Sequence, residues 1–68
     1  MDEEALNTST RKFLKKLGVS AQREIEKAVR DGVASGRLQG NERLPAKAVL
    51  TLGGVDLKFE IDGDIEVG

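Results

Sequence analysis

The stretch AKAVLTLGGVDLKFEI, residues 46–61, carries an apolar residue at every second position on both sides of a glycine pair. The apolar positions have even numbers before Gly53-Gly54 and odd numbers after it. A two-residue turn at the glycines places each apolar residue opposite another one, for example Leu50 opposite Leu57. The pattern therefore predicts a β-hairpin with one apolar face and one polar face.

The chain after this hairpin allows two arrangements. Asp62-Gly63 is a strong turn signal, and a loop there predicts a short third strand at about 64–67. Alternatively there is no turn, because residues 55–67 alternate in one unbroken phase; that long strand would leave an edge with which a second copy of the chain pairs. We favour the third strand, which gives strands at about 46–52, 55–61 and 64–67.

Two amphipathic segments precede the hairpin. Asp2 is suited to cap a first helix at about 2–17, and Gly18 is suited to end it, because glycine adopts the left-handed conformation without penalty. Ser20 is then suited to cap a second helix at about 21–35. The predicted fold is α+β in one domain, residues 1–68, with two N-terminal helices packed on one face of a two- or three-stranded antiparallel sheet (ααββ or ααβββ).

The composition bounds stability and location. A chain of 68 residues buries only about 60% of its unfolded surface, so its stability is marginal without a disulfide, a metal or a partner chain. It has no cysteine, and small secreted domains usually need disulfides, so we expect a cytoplasmic protein. The acidic start does not resemble a signal peptide, and no apolar run is long enough to span a bilayer.

The residue types that most often perform catalysis are missing. The chain has no His, Cys, Tyr or Trp, so its serines have no histidine to activate them. We therefore expect no enzyme, no catalytic residue and no cofactor. Asp62, Asp64 and Glu66 resemble the start of a calcium loop, but the glycine is at the wrong position and the final acid is missing, so we expect no metal site.

Charge is distributed unevenly along the chain. Residues 5–47 carry ten Lys or Arg against four acids, whereas residues 48–68 carry one Lys against five acids. This asymmetry is typical of ordinary solvated faces; the alternatives are an anionic partner for the basic helices, or association of copies through opposite charges. The expected partner-binding residues lie in the two predicted helices: Lys12, Lys16, Gln22, Arg23, Lys27 and Arg30.

Segments spread over nearly the whole chain resemble a small, uncharacterised bacterial family, a domain of unknown function found mainly in proteobacteria. The resemblance is carried by Gly18 to Val29, with Arg11 to Leu14 upstream of it. Downstream it continues in Leu44-Pro45-Ala46, in Leu52 to Val55 and in Asp62 to Ile65. The resemblance implies a bacterial, cytoplasmic protein of about this length and supplies no substrate, cofactor or active residue.

Two functional hypotheses follow from these observations. The first is a small non-enzymatic protein-interaction module, in which a homodimer would form through the last strand or through the sheet face around Val49. The alternative is a winged-helix-like DNA-binding protein, in which Leu17 to Ser20 forms the turn of a helix-turn-helix and the hairpin forms the wing. Acids at Glu24, Glu26 and Asp31 disfavour the alternative because they repel phosphate. No membrane partner is expected.

Overall fold

The computed structural model describes residues 1–68 as one long helix followed by one antiparallel hairpin. Helix α1 spans Glu3–Ala34, strand β1 spans Arg43–Leu52 and strand β2 spans Leu57–Glu66. The two strands form a two-stranded sheet. The fold is therefore α+β with the element order αββ.

The ends of α1 follow from local chemistry. The Asp2 carboxylate accepts a hydrogen bond of 3.0 Å from the Ala5 amide, which satisfies one of the free donors at the start of a helix. Glu3 and Glu4 lie in the first turn, where the helix dipole favours negative charge. At the other end Gly36 has a φ of +81°, the left-handed conformation that commonly follows a helix.

The prediction of two helices is wrong, because Gly18 and Ser20 both lie inside α1. Leu14, Leu17, Ala21 and Ile25 follow one another at steps of three or four, so the apolar stripe crosses Gly18 without a change of phase. A glycine inside a helix costs about 1 kcal/mol relative to alanine. Ending the helix there would leave several carbonyl and amide groups without partners, which costs more.

The hairpin also differs from the prediction in register. Leu52 lies opposite Leu57, and Leu50 lies opposite Phe59, so a four-residue loop replaces the expected two-residue turn. Of the two loop glycines only Gly54 has a positive φ, at +88°, whereas the expected tight turns need a positive φ at the first central residue, Gly53. The register shifts by an even number of residues, so the apolar face stays as predicted.

The predicted third strand is absent. Strand β2 continues through Asp62 and Gly63, and Gly63 lies opposite Ala46. This is possible because β1 begins at Arg43, before the predicted start, and its extra residues pair with the end of β2. The turn signal at Asp62-Gly63 is overruled because a straight β2 finds a full-length partner in β1.

Helix α1 lies along the apolar face of the hairpin, and both elements line the grooves between them. The molecule is elongated, with principal extents of 51 × 20 × 17 Å and a radius of gyration of 16.0 Å. A compact chain of this length has a radius of gyration of about 11 Å. No residue of the chain is buried. One helix on two strands is too narrow to enclose a core.

Candidate interaction surface

An open apolar groove runs between α1 and the hairpin. It has a volume of about 390 Å³, and we call it the apolar cleft; its main lining residues are Phe13, Leu14, Leu17, Leu50, Phe59 and Ile61. Phe13 remains 53% exposed and Ile61 56% exposed, although both side chains point toward the other element. The two halves of the fold therefore approach each other without covering their facing side chains.

The apolar cleft continues toward the loop of the hairpin. A neighbouring groove of about 400 Å³ is lined by Leu6 and Thr10 of α1 and by Leu52 and Leu57 of the hairpin. It shares Phe13 and other lining residues with the first groove, so the two form one surface. Monomeric proteins rarely expose a contiguous apolar surface of this kind unless a partner covers it.

The opposite face of the hairpin is polar, and ion pairs join its two strands. Arg43 lies 2.6 Å from Glu66, and Lys47 lies 3.3 Å from Glu60, with the distances measured between side-chain nitrogen and oxygen. Val49 is the exposed apolar residue of this face, between Lys47 and Thr51 on β1. Exposed ion pairs of this kind contribute about 0–1 kcal/mol each, so they orient the strands more than they stabilise them.

The acidic residues near the end of the chain lie along strand β2. Asp62, Asp64 and Glu66 occupy alternate positions of β2, and Glu66 is paired with Arg43. No group of three or more acidic, histidine or cysteine side chains is placed to hold a metal ion. The three acids therefore belong to the polar face of the hairpin.

The structure brings five of the six expected partner-binding residues into one row on α1. Successive residues of a helix are about 100° apart, which places these five within a sector of about 60°; they are Lys12, Lys16, Arg23, Lys27 and Arg30. Gln22 lies outside the row, donates a 3.3 Å hydrogen bond to the Glu26 carboxylate and lines a groove beside Ile65.

The helix-turn-helix arrangement required by the DNA-binding alternative is absent. Its turn was expected at Leu17 to Ser20, and these residues form part of one uninterrupted helix. A recognition helix needs its partner helix to cross the nucleic-acid backbone at an angle, and α1 has no such partner. The prediction of a winged-helix geometry is therefore wrong.

A carboxylate closes the connection between helix and hairpin. The Glu42 carboxylate accepts hydrogen bonds from the amides of Gln39, Gly40 and Asn41 at 2.7, 3.0 and 3.2 Å. These bonds, led by the one from Gln39, lower the pKa of Glu42 below its ordinary value of 4.5. Gly40, at a φ of +103°, permits this tight loop. No role was predicted for Glu42 from the sequence.

The sequence predicted that the apolar residues of the cleft would be covered where the helices pack on the sheet. The composition contained a signal against a closed core, because the 68-residue chain has only two aromatic side chains, Phe13 and Phe59, with which to fill one. One helix and two strands cannot surround even these two rings. The number of elements, rather than the apolar pattern, therefore decides whether the apolar face is a core or a surface.

The comparisons with known proteins give a family and no function. No helix of the chain combines the length and the apolar character needed to cross a membrane. No curated protein and no solved structure matches the chain. The resemblance to a domain of unknown function is confirmed, since residues 1–68 match the model of the Family of unknown function (DUF6494), and the chain belongs to that family.

Proposed function

We propose that this chain is a non-enzymatic interaction module that folds as a homodimer, with the apolar cleft of each copy at the interface. The observation that supports this proposal is the large surface left accessible by a single copy. No residue is buried, and most of the apolar side chains that line the cleft remain about half exposed. A partner that covers this surface would supply the burial that one chain lacks.

The missing burial has the size of a dimer interface. One copy exposes 6124 Å². A folded monomer of 7.3 kDa exposes about 4,200 Å² by the scaling of surface with mass. The excess is about 1,900 Å² per chain, or about 3,800 Å² for two chains. Interfaces of obligate homodimers bury about 2,000–5,000 Å² in total.

A second copy is the occupant that best suits the apolar cleft. The cleft has two apolar walls, one from Phe13, Leu14 and Leu17 and one from Phe59 and Ile61. Each copy can therefore offer an apolar ridge and accept one, which is what a two-fold symmetric interface requires. Dimers with two-fold symmetry are also the commonest oligomers.

Pairing through a strand edge alone would leave the cleft uncovered. A copy added at the edge of β2 would extend the sheet beyond Ile61 but would not reach Phe13 on the helix. The polar face of β2 also carries Glu60, Asp62 and Asp64, and two such strands side by side would bring like charges together. Contact across the apolar cleft is therefore the arrangement that we propose.

The proposal also includes a cytoplasmic location and the bacterial origin that the family resemblance implies. The absence of cysteine supports the location, because small domains of oxidising compartments usually carry disulfides. The missing His and Cys support a non-enzymatic role.

Sedimentation equilibrium combined with urea unfolding at several protein concentrations tests the proposal. We expect twice the chain mass and a transition midpoint that rises with concentration, because folding and association are coupled. A tenfold increase in concentration should add about 1.4 kcal/mol of apparent stability, a shift of roughly 0.5–1.4 M urea. A stable monomer whose midpoint is independent of concentration would contradict the proposal.

A further inference from the structure

Five of the seven cations on α1 lie in one row that the homodimer does not explain. We call Lys12, Lys16, Arg23, Lys27 and Arg30 the basic row. It extends along about 27 Å of the helix, at 1.5 Å per residue. The first four residues line none of the grooves between helix and hairpin, and Arg30 lies at the margin of the groove beside Ile65.

Most of the positive charge in the basic row is unneutralised. The only ion pair made by the row joins Lys27 to Asp31, at 3.5 Å. Lys12, Lys16, Arg23 and Arg30 form no ion pair within the chain. By helical spacing Glu24, Glu26 and Asp31 lie outside the sector of the row, which contains no acid.

We propose that the basic row binds the phosphate backbone of double-stranded nucleic acid, without sequence preference. A straight row of cations matches a linear polyanion, and 27 Å of duplex axis presents about eight phosphates on each strand. The four unpaired cations would each neutralise one phosphate and release its condensed counterions. This contact requires no turn between helices and no base readout.

Physical differences between anionic partners favour a duplex. The basic row contains no aromatic residue and no large apolar residue. Stable protein interfaces need such anchors, and single-stranded bases stack on aromatic side chains. Exposed pairs with protein carboxylates contribute only about 0–1 kcal/mol each. The gain from released counterions is specific to polyelectrolytes. An anionic membrane would need apolar side chains beside the cations, and here the apolar residues face the hairpin.

This inference is independent of the homodimer, because the basic row and the apolar cleft use different sides of α1. A monomer could bind a duplex, and a dimer could fail to bind one. Sedimentation of each variant reports the oligomeric state, and the duplex titration reports the basic row, so the two proposals fail separately.

The test is a fluorescence anisotropy titration of a mixed-sequence DNA duplex of about 30 base pairs, between about 50 and 200 mM salt. Four phosphate contacts predict a slope of log K against log salt of about −3.6, hence about a 100-fold loss of affinity over this range. The test variant is Lys16→Gln with Arg23→Gln. It keeps two of the four contacts, so its slope should be shallower, at about −1.8. Glutamine is a good helix former, and circular dichroism checks the fold.

A matched control removes the same charges elsewhere. Arg37→Gln with Lys58→Gln also loses one Arg and one Lys, and both positions lie off α1, so the slope should not change. The exchange Lys16→Arg with Arg23→Lys keeps the charge and should keep the binding. An equal effect of test and control variants would overturn the inference. So would tighter binding to a single strand or to polyglutamate, or no binding to DNA or RNA duplexes at about 50 mM salt.

Discussion

Phe59 and Val49 lie on opposite faces of the hairpin at neighbouring positions of its register, and they are equally exposed, at 52% and 53%. Their surroundings differ. Phe59 lies in the apolar cleft beside Leu50. Val49 borders the same cleft from strand β1, but it belongs to the polar face, among Lys47, Thr51 and Glu60. An isolated exposed apolar residue among polar neighbours is ordinary on a protein surface, and a contiguous apolar surface indicates a partner.

Replacing these two residues separates the faces of the hairpin. We expect Phe59→Asp to weaken the dimer by about 2 kcal/mol or more, which raises its dissociation constant about 30-fold, because a charge would enter an apolar interface. Val49→Asp introduces the same residue on the polar face. Both variants lose strand propensity, up to about 1 kcal/mol, and this loss reaches the dimer through coupled folding, so the dissociation constant of Val49→Asp should rise much less than that of Phe59→Asp. Sedimentation equilibrium measures both constants.

If Val49→Asp weakened the dimer more than Phe59→Asp, the interface would lie on the polar face of the hairpin, where Val49 is the exposed apolar residue. Phe59→Leu is the conservative companion, since it keeps an apolar side chain at the same position. It should lose no more than a small part of the affinity. If Phe59→Leu and Phe59→Asp weakened the dimer equally, the effect would come from packing within one copy rather than from the buried charge.

Two glycine-to-alanine substitutions test the continuity of α1. Neither Gly18 nor Gly36 has an atom within 4 Å of the place that an added Cβ would occupy, so the alanine methyl group meets no steric obstacle at either position. Gly18 is inside the helix, and Gly36 has a φ of +81°. We expect Gly18→Ala to stabilise the protein by about 0.5–1 kcal/mol and Gly36→Ala to destabilise it by about 1–2 kcal/mol.

Urea unfolding at one fixed protein concentration measures both changes. In the arrangement of two helices predicted from the sequence, Gly18 would be the left-handed residue that ends the first helix. If Gly18→Ala destabilised the protein, the result would support the arrangement of two helices and contradict the long helix. Helicity from circular dichroism should rise slightly in Gly18→Ala and stay unchanged in Gly36→Ala.

The alternation in residues 46–61 was sufficient to predict the hairpin and its apolar face, because a strand exposes every second residue on one side. It was not sufficient for the register. Any shift by two residues keeps Leu50 and Phe59 on the same face, so patterning cannot distinguish such registers. The choice depends on the φ of Gly53, which the sequence leaves free.

The helix and the cleft were mispredicted for a related reason. Gly18 followed by Ser20 is a good local stop and start signal, but the stripe through Leu17, Ala21 and Ile25 continues across it, and the longer-range pattern prevails. Residues that face a partner are apolar in the same way as residues that face a core. The pattern therefore predicted which side chains are apolar and aligned, and could not predict what covers them.

Engineered disulfides test the register of the hairpin in a chain that has no cysteine of its own. Val49 lies directly opposite Glu60, and the register expected from a two-residue turn would place it opposite Lys58. We expect Val49→Cys with Glu60→Cys to form a disulfide readily, since directly opposed Cα atoms lie about 4.5–5.5 Å apart.

Val49→Cys with Lys58→Cys is the matched pair, and it should oxidise poorly because diagonal neighbours lie about 7–8 Å apart. Thiol titration after mild oxidation compares the two proteins. Dilute protein, and a nonreducing gel that separates bridged dimers, exclude disulfides between copies. Preferential bridging of the Lys58 variant would contradict the four-residue loop.

The loop that joins α1 to β1 gives a prediction for acid pH. Three amides donate to the Glu42 carboxylate, and the pKa of Glu42 is lowered by these bonds, chiefly the one from Gln39. The folded pKa lies below the unfolded value. This stabilisation is therefore fully present above the unfolded pKa and is lost as the pH falls through the folded pKa.

We expect the amide resonances of Gln39, Gly40 and Asn41 to titrate together, with one midpoint below 4.5, the ordinary pKa of Glu42. Glu42→Gln should abolish this shared titration and make the loop amides exchange faster with solvent at neutral pH, because a neutral amide oxygen is a weaker acceptor than a carboxylate. Glu66→Gln removes a charge from the same end of the hairpin and should leave the shared titration in place, since Glu66 bonds to Arg43 instead. A midpoint at or above 4.5, or three separate midpoints, would show that the Glu42 carboxylate does not hold this loop in solution.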